Sequence, residues 1–164
     1  MTLAQAEYIK KVIRRTKVDD IGCGYSRLKP VRLICDYLGI DKEKIADSKV
    51  IEFDLSRPCP HLRHDVAFVS WPIDRKSIAW HLFLEKYNDI LYLGCNTDGI
   101  VCGDPDFWKI VGKREILKII PDPQETLIHY GKGQRPEGTQ EPLEEKASRL
   151  TWEECKITRY TEKP

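Results

Sequence analysis

Apolar positions change period several times along the chain, and each change marks an element. In residues 2–15, Ala6, Ile9 and Ile13 recur at helical spacing with Lys10, Lys11, Arg14 and Arg15 between them, which predicts an amphipathic entry helix covering one face or edge of a sheet. Lys17-Val18-Asp19-Asp20-Ile21 follows as a short, unusually polar strand. Beyond Gly22-Cys23-Gly24, the positions of Leu28, Val31, Ile34 and Leu38 predict a helix with Pro30 near its start and Gly39 at its C-terminus. Residues 41–47 predict another short helix and 49–55 a strand.

After a proline-rich loop, Asp65-Val66-Ala67-Phe68-Val69-Ser70 is nearly all apolar in its middle, as in a central strand buried on both faces. Trp71-Pro72 ends it. Trp80, Phe83, Leu84 and Tyr87 follow the i, i+3, i+4, i+7 pattern of a helix, and residues 89–94 read as a second buried strand. Asp104 and Pro105 supply a cap and a first-turn proline to a helix carrying Phe107, Trp108, Ile110 and Val111, with Gly112 to end it. Residues 116–120 and 126–130 flank Pro121-Asp122-Pro123 as two antiparallel strands. The sum is an open α/β sheet with helices on both faces and an antiparallel C-terminal hairpin, whose ligand edge lies at the loops after the parallel strands. Residues 133–164 read as a mobile or loosely packed tail, with a short ordered return around 150–160 from Trp152 and Ile157.

Composition narrows the classes. A length of 164 residues suits one domain, and 41% hydrophobic with 32% charged residues excludes wholesale disorder. Lys and Arg (27) nearly cancel Asp and Glu (26), so a net charge of +1 gives no global field for nucleic acid or an anionic membrane. A local basic patch is compatible with that balance. Apolar runs are short and residues 1–10 lack a secretory pattern, so the expectation is a cytoplasmic protein with no membrane partner. The six cysteines, Cys23, Cys35, Cys59, Cys95, Cys102 and Cys155, are then expected as reduced thiols.

The candidate chemistry starts at Asp20-Ile21-Gly22-Cys23-Gly24, a glycine pair between a strand and a predicted helix. A dinucleotide turn wants a third glycine where Arg27 stands, which disfavours a nicotinamide or flavin site. The string resembles the acidic-hydrophobic-Gly-x-Gly motif of the class I S-adenosylmethionine (SAM)-dependent methyltransferases. The resemblance covers about residues 17–132 and implies a single Rossmann-like methyltransferase-type sheet within a domain of residues 1–132. It also implies SAM as cofactor, with Gly22 and Gly24 against its methionine part and Asp20 holding its amino group directly or through water. Gly39-Ile40-Asp41 fits the family's ribose-binding acid; Asp41 fits equally as the cap of the helix predicted after it, and Asp54 then becomes the acid that binds ribose or adenine. Ser70-Trp71-Pro72-Ile73 partly matches the family's fourth motif, the Asn/Asp/Ser-Pro-Pro-aromatic turn of amino-directed members: serine and second proline are present, first proline and final aromatic are not. Ser70 and the carbonyl of proline-restricted residue 71 would orient an amine or hydroxyl, and Trp71 would stack on a planar substrate or on adenine.

Other readings compete. Cys59, His61, His64, Cys95 and Cys102 could converge on a metal, but no Cys-x-x-Cys pair occurs, and no metal site is assigned. A Cys–His nucleophile has no local signature. Asp74 is either a base beside the substrate or the cap of a helix near Arg75. The Asp98-Gly99 pair reads as a turn, and Arg57, Arg63, Arg75 and Lys76 as scattered solvated charges. The resulting expectation is a methyltransferase acting on an amine or hydroxyl of a small substrate, or recognising its target through a protein partner. The alternative is an inactive SAM-fold binding or regulatory protein.

Overall fold

Seven strands form one mixed sheet in the computed structural model, which describes residues 1–70, 78–95 and 105–147. They are β1 (Lys17–Ile21), β2 (Asp36–Asp41), β3 (Val50–Glu52), β4 (Val66–Ser70), β5 (Asp89–Cys95), β6 (Arg114–Ile120) and β7 (Glu125–Gln134), in spatial order β3-β2-β1-β4-β5-β7-β6. The first five are parallel, and β7 inserts between β5 and β6 antiparallel to both. Among the described residues three α-helices accompany them: α1 (Leu3–Ile13), α2 (Pro105–Val111) and α3 (Leu143–Ala147).

The alternation of side chains along the central strands divides the core. On one face Val18, Val66, Phe68, Leu91 and Leu93 pack under Ile9 and Ile13 of α1. On the other, Ile21, Ala67, Val69, Ile90 and Tyr92 pack with Phe107, Trp108 and Val111 of α2. A Thr2–Gln5 capping box starts α1, each residue's side chain bonding the other's backbone N–H.

Strand β1 explains its own polarity. Asp19 and Asp20 are both 0% exposed and occupy opposite faces. Asp19 accepts bonds from Arg63 Nε (2.7 Å), the Arg63 backbone N–H (2.7 Å) and the Tyr87 hydroxyl (2.8 Å). Asp20 accepts from the hydroxyls of Ser26 (2.5 Å) and Tyr37 (2.9 Å). A strand of this composition is tolerable because each buried carboxylate meets its own donors.

Three predicted helices are absent. The stretch through Leu28 and Val31 is a series of turns ending in a single 3-10 turn at Arg32–Ile34, and Leu38 lies in β2. A helix reaching Leu38 would have consumed the strand that pairs residue for residue with β1. Leu28 and Val31 still bury themselves against the α1 face, doing with turns what the helix would have done. Residues 42–49 contain no helix, and the strand predicted over 49–55 shortens to Val50–Glu52. Trp80 to Tyr87 forms two 3-10 turns, Trp80–Leu82 and Leu84–Lys86. The guanidinium of Arg114 gathers carbonyls at the second of these turns, bonding Glu85 O (2.9 Å) and Tyr87 O (2.7 Å) as well as Gly131 O (3.0 Å).

The compositional shift after residue 132 is not a structural boundary. Strand β7 continues to Gln134, and Arg135 pairs with Glu145 of α3 through two nitrogens (2.7 and 2.6 Å). Tyr130 donates to the same carboxylate (2.9 Å). The ordered return predicted around 150–160 lies outside the described residues. Among those described, no helix is long and apolar enough to cross a membrane.

Candidate functional site

The C-terminal ends of β1 and β2 are stitched together by the glycine turn. Gly22 and Gly24 adopt left-handed backbone (φ 62° and 47°), which glycine enters without steric cost. The N–H groups of Gly22 and Cys23 both donate to Ile40 O (2.8 and 3.2 Å). The Gly24 N–H donates to Asp41 Oδ2 (2.9 Å), and Oδ1 of the same carboxylate accepts the N–H of Glu43 (3.0 Å). A Cβ at Gly24 would meet no atom within 4 Å, so the turn keeps one side open.

Donors and acceptors beyond the turn hold it in shape. Ser26 donates to Asp20 and accepts the Leu28 N–H (3.0 Å), closing a small polar ring beneath the glycines. Arg27 reaches across the α1 side of the sheet to grip both oxygens of Glu125 at the start of β7 (2.6 and 2.8 Å). Both bonds come from the one nitrogen, Nη2, and are strengthened by the charge on each partner.

Asp41 therefore stands at the end of a strand, and no helix begins there for it to cap. Asp54 lies past the end of β3, exposed, with its carboxyl held below the usual range by the backbone N–H of Ser56. Ser70 closes β4 and is buried. Trp71, Pro72 and Asp74 lie outside the described residues. Cys23 sits inside the turn with its thiol pushed up to about 12 by burial and by the Asp20 and Asp41 carboxylates, which disfavours the nucleophilic thiolate. Among the described residues no three His, Cys, Asp or Glu side chains are arranged to hold a metal ion. His61 and His64 instead pack edge-on against Phe53 and Tyr87.

Sequence reasoning did not find Ser26, Tyr37 or the Arg27–Glu125 clasp. Tyr37 was hidden because its strand reads as the end of a helix. The clasp joins residues 98 positions apart, beyond any local signal.

A sheet ordered 3-2-1-4-5-7-6 with one antiparallel strand, and a glycine turn facing an acid at the end of β2, defines a class I methyltransferase-like fold. Solved structures agree. The 16S rRNA methylase RmtB superposes with a TM-score of 0.52 at 18% identity, over 80% of this chain and 63% of its own. An rRNA methylase from Escherichia coli gives 0.52 at 16% identity, over 79% and 62%. The 23S rRNA methyltransferase ErmE gives 0.51 at 13%, over 88% and 73%. The chain thus spans less than two thirds of the first two. No family model and no curated protein matches the sequence.

Proposed function

We propose that this protein binds SAM across the carboxyl ends of β1 and β2 and catalyses methyl transfer to an amine or hydroxyl. The observation that carries the reading is the pairing of two left-handed glycines, one open to space, with an acid at the end of β2. A ligand can approach the backbone closely there, and a carboxylate offering about four acceptor sites receives ribose hydroxyls while the Gly24 N–H keeps it in place. SAM supplies its own activated methyl group, so the protein need only bind, orient and remove a proton.

In this reading Gly22 and Gly24 face the methionine part, and Asp41 takes the ribose. Asp20 sets the turn through Ser26 and Tyr37, with Asp54 at the adenine end of the same edge. Ser70, one strand beyond β1, orients the acceptor, with Trp71, Pro72 and Asp74 assigned to the same end on sequence alone. Calorimetry with SAM tests the cofactor. Asp41→Ala is expected to weaken binding roughly 10- to 150-fold, the worth of one hydrogen bond to a charged group. Unchanged affinity would mean the pocket is misplaced. A second reading, a SAM-binding protein without transfer, is favoured by the replacement of the helix after β1 with turns; SAM binding with no labelled methyl transferred to any acceptor class would select it.

A further inference from the structure

A concavity borders the glycine turn, sharing Gly24 and Ser26 with it, while its other lining residues have no part in the cofactor reading. The turns after β1 and the crossover between β2 and β3 enclose a groove of about 270 Å³. Lys29, Arg32 and Lys44 line it from both sides. Its single acid, Asp47, is occupied by Arg32 (2.6 Å), whose hydrogen bond holds the carboxyl below its usual range. Lys29 and Lys44 are exposed and form no ion pair among the described residues. At the mouth stands Tyr25, 94% exposed, on the residue next to Gly24. The net charge of +1 hides this local excess of cations.

We propose that this groove binds a single-stranded polynucleotide, with backbone phosphates on Lys29 and Lys44 and an unpaired base stacked on Tyr25. Two cations and an exposed ring around a narrow opening match a strand whose charge and π-faces alternate along its length. A duplex would keep its bases from the ring. Its service as the flank of a methyl acceptor rests on the methyltransferase reading; its binding does not. The groove opens on the β2 side of β1, and Ser70 ends β4 on the other side. At about 4.8 Å per strand the two are roughly 10 Å apart. That distance corresponds to about three stacked nucleotides, so one strand can occupy both.

The test is fluorescence anisotropy with a labelled single-stranded RNA of about 12 nucleotides, without SAM, between about 50 and 200 mM salt. Wild-type protein is expected to bind, with log affinity falling linearly in log salt. The Lys29→Ala/Lys44→Ala variant should lower that slope by about 1.4, at about 0.7 for each phosphate no longer neutralised. Tyr25→Ala should weaken binding roughly 5- to 150-fold with the slope kept. Lys86→Ala, exposed on a distant turn, should change neither. Absence of wild-type binding, a wild-type slope in the double lysine variant, tighter binding of a duplex of equal length, or competition by UMP as effective as by the oligonucleotide would each overturn the proposal. SAM calorimetry is read separately, so loss of the cofactor reading with RNA binding intact stays distinguishable from the reverse.

Discussion

Arg63 holds two carboxylates, and burial separates them by an amount that can be measured. Its Nε bonds Asp19, 0% exposed, at 2.7 Å, while its Nη1 lies 2.9 Å from Asp36, whose side chain is 62% exposed. The same guanidinium also donates to Val18 O (2.7 Å) and Asp36 O (2.9 Å). Arg63→Met leaves Asp19 with the Tyr87 hydroxyl and one backbone N–H but no counter-charge. Removing one partner of a buried pair costs about 3–5 kcal/mol. Asp36→Asn removes only a solvent-screened pair, worth at most about 1 kcal/mol. With a shift of about 2–4 °C per kcal/mol in a domain of this size, the first variant should melt roughly 6–20 °C below wild type and the second no more than about 4 °C below. Urea titration and thermal melting of both measure the difference. Adding Asp19→Leu to Arg63→Met should recover part of the loss, since the uncompensated charge goes with it. Equal losses in the two single variants, or a loss under about 1 kcal/mol for Arg63→Met, would refute the claim that the buried carboxylate depends on this arginine.

Arg114→Met strips several buried carbonyls of their donor at once; a cost of at least about 3 kcal/mol in chemical denaturation is expected, from roughly 1–3 kcal/mol per unsatisfied buried group. Gly39→Ala places a Cβ 2.8 Å from Val50 Cγ2 and 2.9 Å from both Cys23 Sγ and the Tyr37 hydroxyl. Overpacking of about 1–3 kcal/mol should appear in its melting curve, together with weaker SAM binding because the glycine turn must yield. Cys23, its thiol raised to about 12, should alkylate on the order of 1,000-fold more slowly at pH 8 in the native protein than in urea, read by peptide mapping. The rate should climb with pH, because only the thiolate reacts. His129 Nε2 lies 2.6 Å from Asp89 Oδ1 and its Nδ1 lies 2.8 Å from the Tyr8 hydroxyl. Tyr8→Phe should cost about 1 kcal/mol in urea titration, the net worth of one such bond.

The two central strands were legible because Val66 to Val69 and Ile90 to Leu93 offer no polar face and can only be central, and the antiparallel hairpin because Pro121-Asp122-Pro123 separates two short strand runs. The glycine turn was legible because its motif is contiguous. What failed was the segment between β1 and β2. Leu28, Val31, Ile34 and Leu38 carry a true helical period, yet Tyr37, Gly39 and Asp41 are needed by the sheet, and pairing with β1 outweighed local preference. Gly39 read as a helix terminator; it is a strand residue whose bare backbone admits Val50, Cys23 and Tyr37. The site followed the same division. Asp20, Gly22, Gly24 and Asp41 meet at one edge, while the groups that hold them come from positions distant in sequence.

The clasp between Arg27 and Glu125 also orders events in time. The glycine turn is made early in synthesis, but the acid that grips it belongs to β7, the last strand of the sheet to leave the ribosome and one that must slide between β5 and β6. Long-range closure of this kind is slow, since the chain bears its loop entropy before any contact repays it. A nascent or truncated chain ending short of residue 125 would carry every residue of the glycine motif, and the bonds that join it to Ile40 and Asp41, without the acid that Arg27 grips.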